Sequence, residues 1–173
     1  MSEIPDAKKC LVLLKKSGCS DEVIRHCIAV RDVAVRIARY AGADVKLVEA
    51  GALLHDIGRS RTHSILHAVE GVKIAKQLGL PISIIKIIEC HIGAGLPKEE
   101  AALLGLPAKD YIPETLEEKI VSHADNLTDG DKRQKIEDKI NKALRKGQKT
   151  HAERLMILHK ELCERCNIDL DEL

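Results

Sequence analysis

The chain has 173 residues, enough to bury one substantial core and too few for two independent ones. A net charge of +1, no Phe or Trp, and Tyr40 and Tyr111 as the sole aromatics argue against a polyanion partner or a stacking platform for single strands, and they leave an aliphatic core. No apolar run approaches the ~20 residues that span a bilayer, and MSEIPDAKKC lacks the apolar stretch of a signal peptide, so no membrane partner and a cytoplasmic protein with free thiols are expected.

Leu, Ile, Val and Ala recur beside Lys and Glu without strand-like alternation, which predicts an all-α fold. In chain order, a first helix is expected over residues 5–16, stopped by Ser17-Gly18. A long second helix follows, capped by Ser20 and stopped at Gly42. Asp44 caps a third that reaches Asp56 and ends near Gly58. A fourth is expected over residues 62–78, and a fifth opens with Pro81 at the first helical position and leads to Cys90-His91. A short helix over residues 97–104, one beginning at Pro113-Glu114 and broken at Asp129-Gly130, and two charged helices over residues 132–146 and 149–166 complete the chain. The expected organisation is one domain over residues 1–173, its core at about 20–127 with the helices of 131–166 packed on it.

Several polar groups fall on apolar faces. His26 shares a helical stripe with Val30, Val33 and Ile37, His67 with Gly71 and Ile74, and His91 with Ile84 and Ile88. A lone inward histidine is commonly a hydrogen-bonded core residue. Asp56 and Asp125 also face inward, however, and an ionised carboxylate buried without a partner costs several kcal/mol. No buried Arg or Lys is evident to meet them. A divalent cation would satisfy imidazoles and carboxylates together, with Fe, Mn, Zn, Ni or Co matching that donor set.

The order His26, then His55-Asp56 in HDIGR, then Asp125 in HADNL resembles the signature of the HD-domain metal-dependent phosphohydrolases. HDIGRSRTHSILHAVEGVKIA, HIGAGLPKEEAALLGLP and DYIPETLEEKIVSHADNL are similar to a small archaeal group of single-domain members. The resemblance implies an HD-type helical bundle with a metal site in its core. His26, His55, Asp56 and Asp125 would hold one ion; His67 and His91 would add a second, with Asp56 shared. It also implies hydrolysis of a small phosphoester by metal-activated water, a 2′,3′-cyclic phosphodiester or a nucleotide being the leading substrates. Asp56 and Asp125 would then be catalytic. Arg59 and Arg61 would clamp the phosphate, Arg59 acting in catalysis as well as binding, and with so few aromatics any base stacking would fall to Tyr111 or to aliphatic walls. His63 is open to substrate contact, proton donation or plain surface exposure. Members that read cyclic dinucleotides carry a doubled histidine and a GYP motif; this chain has a single His91 followed by IGAG, which argues against that specificity.

Two other readings compete. DKRQKIEDKINKALRKGQK could serve a nucleotide- or nucleic-acid-binding module without catalysis, although its interspersed Glu137 and Asp138 favour a solvated helix. A few HD proteins hold di-iron and activate oxygen on the same fold. Gly93-Ala94-Gly95 could admit substrate to the backbone or simply reverse the chain. Cys163 and Cys166 resemble half of a zinc site with no second half and are expected to remain free of metal. Homo-oligomerisation is left open.

Overall fold

The computed structural model describes residues 3–173. It is built of helices in the order α1 (Ala7–Lys16), α2 (Asp21–Ala41), α3 (Val45–Leu54), α4 (His67–Gln77), α5 (Ile82–Cys90), α6 (Lys98–Leu103), α7 (Leu116–Asn126), α8 (Ile136–Arg145) and α9 (Lys149–Cys166). A tight 3-10 turn, Ile57–Ser60, follows α3, and another, Leu170–Glu172, follows α9. Ser20 caps α2 by accepting from the Val23 N–H, Gly42 ends it in the left-handed region at φ 70°, and Asp44 accepts from the Leu47 N–H at the start of α3, as the cap residues predict.

The all-α expectation holds, with local departures that have local causes. The fourth helix begins at His67, because the Thr62 and Ser64 hydroxyls capture the N–H groups of Ser64 and Leu66 and hold that segment as turns. The seventh begins at Leu116, where Thr115 and Glu118 form a reciprocal capping box that Pro113 cannot supply. Pro81 stands at the N-cap of α5 with ψ 147° and is not the first helical residue. Lys132 and Arg133 do not start a helix; they pair antiparallel with Thr128 and Asp129 in a two-residue ribbon (β1, Thr128–Asp129; β2, Lys132–Arg133) that turns at Gly130.

Helix α2 packs on α3 and α7, α4 on α5, and α8 on α9, whose other face meets α2 and α7. Two aliphatic clusters result, joined through α3 as parts of one core. One gathers Ile37, Ile120, Leu127, Leu155 and Leu162; the other gathers Leu14, Leu53, Leu54, Ile84 and Ile88. Helix α3 contributes to both, Val48 and Ala52 to the first and Leu53 and Leu54 to the second, so its C-terminal end emerges between them. Tyr111 is 2% exposed, with its hydroxyl donating to the Pro107 carbonyl at 3.2 Å. It is a core residue of a small third cluster and is not available to stack on a base. Among the described residues no helix is long and apolar enough to cross a membrane.

Candidate metal centre

His55 is the C-cap of α3 and Asp56 the residue before the 3-10 turn, so the chain delivers both side chains into the space between the two clusters. Helix α2 brings His26, the N-terminus of α4 brings His67, the C-cap of α5 is His91, and α7 brings Asp125. His55, Asp56, His67 and His91 are buried, whereas the side chains of His26 and Asp125 are 18% and 21% exposed and open the cluster to one side.

Each of the four imidazoles is oriented by the backbone. Nδ1 of His55 faces the Ala52 carbonyl at 2.7 Å, Nδ1 of His67 the Ser64 carbonyl at 2.8 Å, Nδ1 of His91 the Ile88 carbonyl at 2.7 Å, and Nδ1 of His26 the Gly130 carbonyl at 2.5 Å. A carbonyl only accepts, so Nδ1 carries the hydrogen and a neutral ring presents its Nε2 lone pair to the cluster. The carboxylates meet those atoms. Asp125 Oδ1 lies 3.1 Å from His26 Nε2 and 3.7 Å from His55 Nε2. The two oxygens of Asp56 divide the histidines: Oδ2 is 3.7 Å from both His26 and His55, and Oδ1 is 3.2 Å from His67 and 3.4 Å from His91.

His55 Nε2 and Asp56 Oδ1 are buried without a hydrogen-bond partner, which places two unsatisfied acceptors inside a ring of others. Two overlapping triads, His26 with His55 and Asp125 and His55 with Asp56 and His91, bring a ligand atom from each member within 4.8 Å of the others. These residues fit a divalent transition ion by donor type and by spacing. Without an ion, burial opposes the charges of Asp56 and Asp125, while a protonated His55 facing Asp56, and His26 and His55 facing Asp125, hold both well below the usual carboxylate range. Burial also opposes a charged His55, yet Asp56 holds it well above the usual imidazole range, so the pocket favours a positive charge that a bound cation would supply with the rings neutral. Burial pushes His91 down, consistent with a neutral ring.

Arg59 is the cation that sequence reasoning did not find for Asp56. The 3-10 turn folds it back so that Nε donates to Asp56 Oδ2 at 2.6 Å and Nη1 to the His63 carbonyl at 3.3 Å. A cleft of about 240 Å³ opens above, lined by Glu22, Val23, His26, Asp56, Arg59, His63 and Gly130. His63 is thus an exposed residue at the rim of the site, set on a turn and not on α4. Arg61 is exposed and lies outside that lining.

The supporting contacts were not visible in the sequence. Ser122 and Asn126, flanking Asp125 on α7, donate to the Gly93 carbonyl at 2.6 and 2.8 Å, and Ser122 also donates to the His91 carbonyl at 3.2 Å. A Cβ on Gly93 would strike the His151 ring, and one on Gly95 would come within 3.0 Å of Pro113 Cδ. Those glycines reverse the chain in a crowded place; they do not open the backbone to a ligand. The carbonyl that orients His26 comes from the ribbon turn.

Fold and site together describe a helical bundle with a histidine and aspartate centre in its core. The HD domain family matches residues 23–130, and the chain belongs to that family. It is 49% identical over 170 residues to a tRNA (cytidine(56)-2′-O)-methyltransferase of Thermoplasma volcanium, an alignment covering 98% of this chain and 50% of that protein, so the chain spans about half the length of that relative. It is 49% identical over 162 residues to an uncharacterized protein of Methanocaldococcus jannaschii, covering 90% of this chain and 95% of the other. The HD domain of the L. monocytogenes phosphodiesterase PgpH, solved in complex with cyclic-di-AMP, shares the fold with a TM-score of 0.60 at 19% identity, covering 92% of this chain and 95% of that one.

Proposed function

We propose that the chain is a metal-dependent phosphohydrolase that cleaves a small phosphoester, a 2′,3′-cyclic phosphodiester or a nucleotide being the favoured class. The carrying observation is the convergence of four backbone-oriented Nε2 atoms and two carboxylates, with His55 Nε2 and Asp56 Oδ1 left unsatisfied at its centre. His26, His55, Asp56 and Asp125 would hold one ion, and His67 and His91 a second, shared through Asp56. A divalent ion of Fe, Mn, Zn, Ni or Co supplies Lewis acidity and an acidified water nucleophile.

The protein's own groups do the rest. The attacking water gives up one proton, and Asp56 or Asp125, the two carboxylates of the site, would accept it. Arg59, at the cleft wall, exchanges part of its contact with Asp56 for a phosphoryl oxygen and binds charge there. His63 closes the rim against the ester group. Residues 1–173 act as one domain in this reading, with α9 packed on α2 and α7 and backed by α8.

The name of the Thermoplasma relative brings RNA back among the substrates, although charge and aromatic content argued against it. The test is a screen of nucleoside 2′,3′-cyclic phosphates, phosphomonoesters and an RNA ending in a 2′,3′-cyclic phosphate, run anaerobically with Mn or Fe. Turnover that disappears in Asp56→Asn supports the reading. Absence of turnover across the screen, or activity that requires oxygen, counts against it.

A further inference from the structure

Away from the HD centre, α9 carries His159 and Cys163 one turn apart on the same face. The helix stops at Asn167, which takes the left-handed conformation at φ 55° and turns the chain back, so that Asp169 comes to face the last helical turn. His159 Nε2 is 3.4 Å from Cys163 Sγ and 3.9 Å from Asp169 Oδ1, and ligand atoms of the three residues all lie within 4.8 Å of one another. Cys166, the other half of the C-x-x-C pair, turns its thiol toward the Ile37 carbonyl at 3.8 Å and takes no part.

We propose that His159, Cys163 and Asp169 form a second metal site, suited to Zn²⁺, that fastens the C-terminal turn to the bundle. Sulfur, imidazole nitrogen and carboxylate oxygen together suit zinc among the common divalent ions. The surroundings match a ligand set. His159 Nδ1 lies 3.0 Å from Nε2 of His123, a fully buried residue of α7; with the hydrogen on His159 Nδ1 and His123 as acceptor, His159 Nε2 is free to coordinate. The Leu170 N–H donates to Cys163 Sγ at 3.4 Å, a contact that a metal-bound sulfur would keep; without an ion, burial pushes this thiol up. Asp169 is 62% exposed at its side chain, which leaves an entry path and a fourth position for water. A bound ion would join α9, the segment leading into Leu170–Glu172 and, through His123, the helix that carries Asp125.

The probe is Co²⁺ added to metal-free protein. A thiolate-to-cobalt charge-transfer band in the near ultraviolet is expected in the wild type and in Asp56→Asn, and its loss is expected in Cys163→Ala. No such band in the wild type, or a band that persists in Cys163→Ala, overturns the proposal. Asp169→Asn alters an exposed side chain and is expected to weaken Zn²⁺ binding ~10-fold or more against a chromophoric chelator and to remove the Zn²⁺-dependent rise in Tm; unchanged binding there also overturns it. None of these readouts depends on hydrolytic activity.

Discussion

His67 and His91 bring their Nε2 atoms within 3.0 Å of one another while each Nδ1 is committed to a carbonyl of its own backbone. Two neutral rings so held face lone pair to lone pair, an arrangement relieved only by a shared proton or a cation. His67→Ala and His91→Ala are therefore expected to lose one ion per chain while keeping the ion at His26, His55 and Asp125. Elemental analysis of protein reconstituted with Mn checks this; unaltered stoichiometry in both variants removes the second ion.

Asp56 touches both halves of the centre, one oxygen toward His26 and His55 and the other toward His67 and His91. Asp56→Asn keeps the shape and removes the charge. It is expected to lower kcat by ~10²-fold or more and to reduce bound metal. An enzyme with near-normal kcat and full metal content would contradict the assignment.

Arg59 reaches Asp56 through a single Nε–H. Arg59→Lys retains charge without the planar fork, so it is expected to recover part of the activity lost in Arg59→Ala, the loss being ~10- to 100-fold in kcat/KM. Arg61→Ala, outside the cleft lining, is expected to change kcat/KM less than threefold, or about 0.6 kcal/mol. Steady-state kinetics on the screened substrate distinguish the two arginines.

The glycine of HDIG has a packing role. A Cβ on Gly58 would collide with the His67 carbonyl and stand 2.5 Å from the Gly71 nitrogen, so the 3-10 turn and α4 can approach this closely only without a side chain. Gly58→Ala is expected to destabilise by about 3 kcal/mol, the upper end of overpacking costs, because the obstacle is backbone. Urea unfolding of the metal-free protein measures it, and a change below about 0.5 kcal/mol would refute the contact.

Cys10 is fully buried, and burial pushes its thiol up to about 12. Above about pH 9, where a thiol in the unfolded chain ionises, the unfolded state binds fewer protons than the folded one, so stability falls as pH rises from about 9 toward 12. The urea midpoint is expected to drop over that window, and to drop less steeply in Cys10→Ala. Parallel profiles for the two proteins would exclude Cys10 as a contributor.

Much of the centre was readable in advance. His26, His67, His91 and Asp125 follow helical spacing from apolar neighbours, and that period is a local property of the chain, independent of what the helix later packs against. The order of the HD residues added which of them belong together. What stayed hidden depended on irregular backbone or on contacts between distant segments. Arg59 meets Asp56 only because the chain tightens into a 3-10 turn. The Gly130 carbonyl reaches His26 only because a two-residue ribbon forms where a helix was expected. That Tyr111 fills a small core and is not available to a base could not be read either, since its position relative to Leu96 and Leu106 is set by a loop.

The amino-acid order determined which side chains turn away from water, because burial of an aliphatic stripe orients every residue on that face of a helix. The tertiary structure alone decided that those side chains meet and that Asp56 divides its oxygens between two pairs; presentation of Nε2 is local for His55, His67 and His91, whose Nδ1 atoms face the carbonyl three residues back, and tertiary for His26. Those outcomes depend on how α2, α3, α4, α5 and α7 pack together and, for His26, on the Gly130 carbonyl at its back, a relation between residues 104 positions apart that no periodicity encodes.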